Sequence, residues 1–224
     1  DRVTWVDVRS KDAYDRCRIP GALHIPLYAV KTKEFLKGRQ VVVMDEGYGS
    51  PALEDECRKL RGMGFTDLFI WYGGLNSWRH FGGIIDGEDA GRMYRVPAIA
   101  FQDIAHASDW MVVDGGGLVG NGGEDAVTIA YDAAKKEEFV LALNSAIKSR
   151  PRAVSVLIVT KTGEDYGPIL ETVEGIGALT YCLEGGWAAL AKHRQMMDAS
   201  RQAHASTSQS VRMGASGVAG RRGG

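Results

Sequence analysis

Long apolar runs are missing from this 224-residue chain. None approaches the ~18–20 residues that cross a bilayer, so no membrane-spanning helix and no membrane partner is expected. A surplus of charge is missing too: 27 Lys and Arg stand against 28 Asp and Glu, for a formal net charge of −1. That balance gives no electrostatic reason to expect nucleic acid or an anionic surface as partner. Cysteine is scarce, with only Cys17, Cys57 and Cys182, an odd number without a CxxC pair. This speaks against both a disulfide framework and a zinc site. The five histidines (His24, His80, His106, His193, His204) never fall at i, i+3 or i, i+4. No metal and no cofactor is therefore expected. The odd cysteine count favours a reducing, cytoplasmic compartment. Because the chain starts at Asp1, almost within a strand and without an initiator Met, it is expected to be a fragment or processed product, and a periplasmic location stays open.

What is present is ordinary globular composition, 45% hydrophobic and 25% charged, in an alternation of β-branched runs and amphipathic stretches. That alternation predicts an α/β chain with largely parallel sheets. Strands are expected at 3–8, in the 19–26 turn, at 41–44 and at 67–71. A short helix is expected at 11–16, a longer one over 51–62, and a last one near Trp78. A similar order returns later. DWMVVD (109–114) parallels TWVDV, SVLIVTKTGEDYGP (155–168) parallels VVVMDEGYGSP (41–51), and IGALTYCLEGGWAAL (176–190) parallels MGFTDLFIWYGGLNSW (63–78). Gly73-Gly74 and Gly185-Gly186 anchor the two halves. The expected organisation is a first domain over 1–84, a linker over 85–96, a second domain over 97–197 and a disordered tail over 198–224. The tail is rich in Ser, Gly and Ala and has almost no large apolar residues.

WMVVDGGGLVG (110–120) contains Gly115, Gly117 and Gly120 at dinucleotide-fingerprint spacing. The fingerprint needs a helix starting at the loop, and no helical pattern begins until about residue 132. A surface loop is the expected reading. The stretch after 41–44 offers more. A buried strand, the loop Asp45, Glu46, Gly47, Tyr48, Gly49 and Ser50, and a helix opening at Pro51 make an anion cradle of free backbone N–H groups. Its first two side chains are carboxylates. The second such loop holds Lys161, Thr162, Gly163, Glu164 and Asp165, where Lys161 could recruit a small anion.

VDVRSKDAYDRCRIPGALHIPL, VVVMDEGYGSP and GMGFTDLFIWYGGLNSW together resemble a rhodanese domain, the fold of thiosulfate and mercaptopyruvate sulfurtransferases. Asp7-Val8-Arg9, Ile19-Pro20-Gly21-Ala22 with Ile25-Pro26, and Gly73-Gly74 with Trp78 match in order and spacing over about residues 1–80. Residues 97–195 resemble a second, more diverged copy, through VLIVTKTGEDY and LEGGW. Its IPGA turn is replaced by Glu124, Asp125, Ala126, Val127, Thr128 and Ile129. The resemblance implies two rhodanese-like domains, each a small parallel sheet flanked by helices. It also implies a cysteine nucleophile just after the central strand, carrying sulfane sulfur within the loop amides. Asp45 holds that place in the first copy, and Lys161 or Thr160 holds it in the second.

A carboxylate cannot form a persulfide. At a helix N-terminus it is itself favourable by ~0.3–1 kcal/mol, so Asp45 is expected to fill its own loop. The resemblance places Asp7 and Arg9 beside the site, with Arg9 expected to hold loops, and it leaves Asp114 without an arginine. The expected function is a catalytically silent tandem rhodanese-like protein, a binding or scaffold module for a sulfur-transfer or redox protein or a small anion. The alternative is a thiosulfate-type sulfurtransferase using a displaced cysteine. Candidates are Cys182, near the end of the strand before Gly185-Gly186, and Cys17, expected in an exposed turn between Arg16 and Arg18. Cys57 is expected to be structural.

Overall fold

The computed structural model describes residues 3–48, 51–87, 94–116, 126–164 and 166–216, the side chains of Pro51 and of residues 204–216 aside. The described chain begins with β1 (Thr4–Asp7), α1 (Lys11–Arg16), β2 (Cys17–Arg18), β3 (Leu23–His24), α2 (Leu27–Val30), β4 (Val41–Met44), α3 (Pro51–Gly62), β5 (Leu68–Ile70) and α4 (Gly74–His80). Then follow β6 (Asp86–Gly87), β7 (Arg95–Val96), α5 (Phe101–His106), β8 (Trp110–Asp114), β9 (Val127–Thr128), α6 (Lys136–Ser149), β10 (Ser155–Val159), α7 (Tyr166–Thr172), β11 (Leu179–Leu183) and α8 (Gly186–Ser216). The fold is α/β, two parallel sheets flanked by helices, as the alternation of runs predicts.

The first sheet has the order β3-β1-β4-β5, and the second β7-β11-β10-β8-β9. Read from the other edge, the second is β9-β8-β10-β11-β7, so the same order of four strands occurs twice and the second sheet adds β7. All pairings within these sheets are parallel. Side chains alternate across each sheet with the two-residue period of a strand. In the first, Val6, Val41 and Val43 face Leu53, Cys57 and Leu60 of α3, while Met44 and Trp5 face Leu75 and Trp78 of α4. In the second, Met111, Val113, Val156 and Ile158 pack under α6 and α7, while Val112, Leu157 and Tyr181 pack under α5 and α8. Two-sided burial explains why these strands read as continuous apolar runs.

Two stretches differ from expectation. Residues 85–96, expected as a linker, carry β6, paired antiparallel with β2, and β7, on the edge of the second sheet. Two-residue pairings leave no periodicity in a sequence. Residues 198–216, expected within a disordered tail, continue α8. Trp187 and Leu190 anchor the start of that helix in the core. No Pro or Gly interrupts it between Trp187 and Met213, so a nucleated helix propagates at little cost. Residues 217–224 lie outside the described residues, as do Gly117 and Gly120 of the fingerprint-like spacing and the Glu124-Asp125 pair.

Candidate functional site

The strands of a parallel sheet end along one edge, and the residues just beyond that edge gather there. Asp7 pairs with Met44, so Asp45 is the first residue past the edge of the first sheet. Its Oδ1 accepts a hydrogen bond from the Gly47 N–H at 2.9 Å. Gly47 has φ 89°, and a Cβ there would fall on the Gly73 carbonyl carbon and the Gly74 nitrogen, so the loop closes against the Gly-Gly turn only with glycine at 47. Beneath the loop, Asp7 is fully buried and Arg9 nearly so. Arg9 Nε donates to Asp7 Oδ1 at 2.9 Å, and Nη2 donates to Asp7 Oδ2 at 2.7 Å and to the Cys17 carbonyl at 2.6 Å. Arg9 thus ties β1 to β2, and its guanidinium is committed to structure.

Three carboxylates share this one arginine. Burial pushes the Asp45 carboxyl above its ordinary value; hydrogen bonds from Gly47 and from its own backbone partly offset this, and the Asp7 charge adds to it. Burial also raises the Glu46 carboxyl, with Arg9 opposing and Asp7 and Asp45 adding. Burial that disfavours the charge on these carboxyls disfavours a further buried anion in the same way. Gly49 and Ser50 lie outside the described residues.

In the second sheet Asp114 pairs with Val159, as Asp7 pairs with Met44. The residue past the edge is therefore Thr160, and Lys161, the other candidate, is exposed one residue farther on. Thr160 is buried, and its Oγ1 accepts from the Gly163 N–H at 3.1 Å, the role that Asp45 has toward Gly47. A Cβ on Gly163 would press on the Gly185–Gly186 backbone, so the two loops close on their Gly-Gly turns alike. Glu164 is exposed, and Asp165 lies outside the described residues.

Sequence reasoning missed the aromatic residues that hold these loops. Tyr166 OH donates to the Leu183 carbonyl at 2.8 Å and accepts from the Thr160 N–H at 3.2 Å; burial pushes its phenol up to about 12. Trp187 Nε1 donates to Asp114 Oδ1 at 3.1 Å, taking the place that an arginine fills in the first sheet. The missing arginine after Asp114, together with a tryptophan directly after Gly185-Gly186, was the available signal. Tyr48 leaves the first loop and packs against the core of the second sheet. Tyr181, fully buried, donates back to the carbonyls of Gly73 (3.1 Å) and Gly47 (3.3 Å). Asn76 Nδ2 donates to the Thr180 carbonyl at 2.9 Å. The first loop and its Gly-Gly turn are therefore held by the second sheet.

The cysteines are not brought to either loop surface. Cys182 is 1% exposed, and burial pushes its thiol up to about 12. Cys57 is fully buried with its thiol pushed up to about 11. Cys17, expected in an exposed turn, is 4% exposed, because β2 pairs with β6 across it. Among the described residues no group of three or more His, Cys, Asp and Glu is placed to hold a metal ion, and no helix is long and apolar enough to cross a membrane.

Residues 1–81 match the family described as Rhodanese-like domain, a match that spans the first sheet and its helices. Among curated proteins none matches the chain. Among solved structures, the Rhodanese_3 like domain of the Anabaena sp. Alr3790 protein is 24% identical over 39% of this chain and 94% of that one, with a TM-score of 0.34. The Bacillus halodurans BH2092 protein is 28% identical over 38% of this chain and 64% of that one, TM-score 0.34. Thiosulfate sulfurtransferase from Pseudomonas aeruginosa is 18% identical over 85% of this chain and 39% of that one, TM-score 0.34.

Proposed function

We propose that this chain is a catalytically silent tandem rhodanese-like protein, a binding or scaffold module for a sulfur-transfer or redox partner. The observation that carries the reading is the residue past each sheet edge. It is Asp45 in one loop and Thr160 in the other, and each side chain is engaged with its own loop amide. A sulfurtransferase of this kind needs a thiolate there, stabilised by those same N–H groups and able to take sulfur from thiosulfate. A carboxylate has no way to become a persulfide. A threonine hydroxyl is a far weaker acid than a thiol, and the Gly163 amide that this one binds is no base. The repeated strand order and the two Gly-Gly turns support the tandem part of the reading.

The rival, a displaced cysteine, meets a physical obstacle. A thiol with 1% exposure and a raised pKa, as at Cys182, is neither ionised nor reachable at neutral pH. The test is thiocyanate production from thiosulfate and cyanide by the purified chain. No turnover above the protein-free rate is expected. Thiocyanate formed by the parent and lost in Cys182→Ser or Cys17→Ser returns the protein to the enzymes.

A further inference from the structure

Away from both loops, a cleft of about 480 Å³ lies between the last turn of α4 in the first half and the end of α7 in the second. It falls within the ~300–1,000 Å³ of small-molecule sites. Three of its features belong to no role described above. The first is Thr180 on β11, which lines the cleft and is 9% exposed. Its Oγ1 is the one buried side-chain N or O atom without a hydrogen-bond partner among the described residues. Asn76, its neighbour across the cleft, donates Nδ2 to the Thr180 carbonyl rather than to this hydroxyl. The second is charge: Arg79 on one wall, Glu171 and Glu174 on the other. None of the three takes part in an ion pair among the described residues, although they border the same space. The third is the apolar stretch between them, Leu170 and Ile176.

From these we infer that the cleft is a binding site for a small zwitterion with an apolar body, an α-amino acid of the leucine or methionine kind. The Arg79 fork matches a carboxylate in two parallel hydrogen bonds. Glu171, in the last turn of α7, and Glu174, just past its end, both line the cleft and face an ammonium group. Thr180 Oγ1 either donates to the carboxylate or accepts from the ammonium, which answers the one buried hydroxyl left without a partner. Leu170 and Ile176 cover the aliphatic side chain. An inorganic anion would satisfy Arg79 but would meet two carboxylates opposite, and a simple cation would meet the reverse, so only a ligand with both charges suits both walls. The site is independent of whether either loop is catalytic. Because its walls come from both halves, occupancy would fasten α4 to α7.

The test is thermal unfolding and titration calorimetry of the full chain with L-leucine and L-methionine, beside N-acetyl-L-leucine, which lacks the ammonium, and L-leucinamide, which lacks the carboxylate. The amino acids are expected to raise Tm and give a saturable heat, and each blocked form to bind about tenfold more weakly, the loss of one charge-assisted contact. Arg79→Gln and Glu174→Gln, both changes at the rim, are each expected to weaken the amino acid about tenfold. Thr180→Val removes the unpartnered hydroxyl at nearly constant shape. It is expected to leave the free protein at least as stable while weakening the amino acid about tenfold. A hydroxyl answered only by water would give no such split. The proposal is overturned by no response to either amino acid, by equal responses to the blocked forms, or by an affinity that Arg79→Gln leaves unchanged.

Discussion

Replacing Tyr181 with Phe removes one oxygen from the contact between the halves and leaves the rest of the side chain in place. The ring keeps its packing on Trp110, with centroids 4.8 Å apart, and no cavity larger than an oxygen is made. What disappears is one hydroxyl, whose proton is shared by the carbonyls of Gly73 at 3.1 Å and Gly47 at 3.3 Å and whose oxygen faces the Asn76 side chain. Both distances are long for an O–H···O bond, whose common length is about 2.7–2.8 Å, so neither is a full-strength bond. Gly73 keeps a second partner, the Ser77 N–H at 2.9 Å. Among the described residues the Gly47 carbonyl has no other partner, and an orphaned buried acceptor costs about 1–3 kcal/mol. Weighing the weak geometry against the orphaned group gives about 1.5 kcal/mol, or about 3–6 °C in Tm for a chain of this size. Differential scanning calorimetry should show one transition moving down as a whole, because the bond ties the loop of one half to the sheet of the other. A Tm within about 1 °C of the parent refutes the assigned role. So does a two-step melt in which only one step moves.

Gly47→Ala forces a β-carbon onto the backbone of the Gly-Gly turn at a positive φ, and urea unfolding should register a loss of about 3 kcal/mol or more. Gly21→Ala is its control: φ is 76° but open space surrounds the position, so only about 1 kcal/mol of backbone strain is expected. Asp45→Asn keeps an acceptor for Gly47 while removing the buried charge. The native carboxyl lies above its ordinary 3.8, so the folded state holds the proton more tightly and stability falls as pH rises through that raised value. The variant should therefore match the parent near pH 3.5 and exceed it near pH 7.5 in thermal unfolding; a variant less stable at the higher pH contradicts the assignment. With Cys17, Cys57 and Cys182 all buried, a disulfide reagent near pH 8 should find no rapidly reacting thiol until denaturant is added. A fast thiol that vanishes in Cys17→Ser would reopen the displaced-cysteine alternative.

The strands were legible wherever burial on both faces produced an unbroken apolar run, as in VVVM and SVLIV. Helix α3 was legible from Pro51 to Gly62, because a proline at its start and a Gly64 beyond its end bracket an amphipathic run. Asp45 could be picked out because one residue after a strand is a short count from a strong signal. Thr160 could not be separated from Lys161, since the end of a strand is set by its pairing, here Asp114 with Val159, and pairing is not local. The exposure assigned to Cys17 failed for a related reason: its cover comes from Gly87, seventy positions on, through a two-residue pairing without any period. Tyr48, Tyr166 and Tyr181 carry no pattern beyond being aromatic. Their meaning lies in contacts spanning up to 134 positions, as between Tyr181 and Gly47.

Those tyrosines connect two facts that the sequence presents separately, the acidic residue after β4 and the second half that follows. A nucleophilic loop must keep its amides free for an incoming anion and its mouth open to solvent. Here the Gly47 amide is taken by Asp45, the Gly47 carbonyl by Tyr181, and the Tyr48 ring is spent on the core of the second sheet. The two tyrosine contacts draw the loop toward the other half, and the Asp45 contact uses an amide that catalysis would need. On the reading proposed above, Asp45 matters chiefly as the residue that lets the loop satisfy itself while packed against a neighbour. Placing a cysteine at position 45 would supply a thiol and release the Gly47 amide, but it would leave the Tyr181 and Tyr48 contacts that hold the loop against the other half. For that reason Asp45→Cys alone is expected to leave the thiosulfate–cyanide reaction at background, whereas a loop that remained a working cradle would recover turnover from that one change.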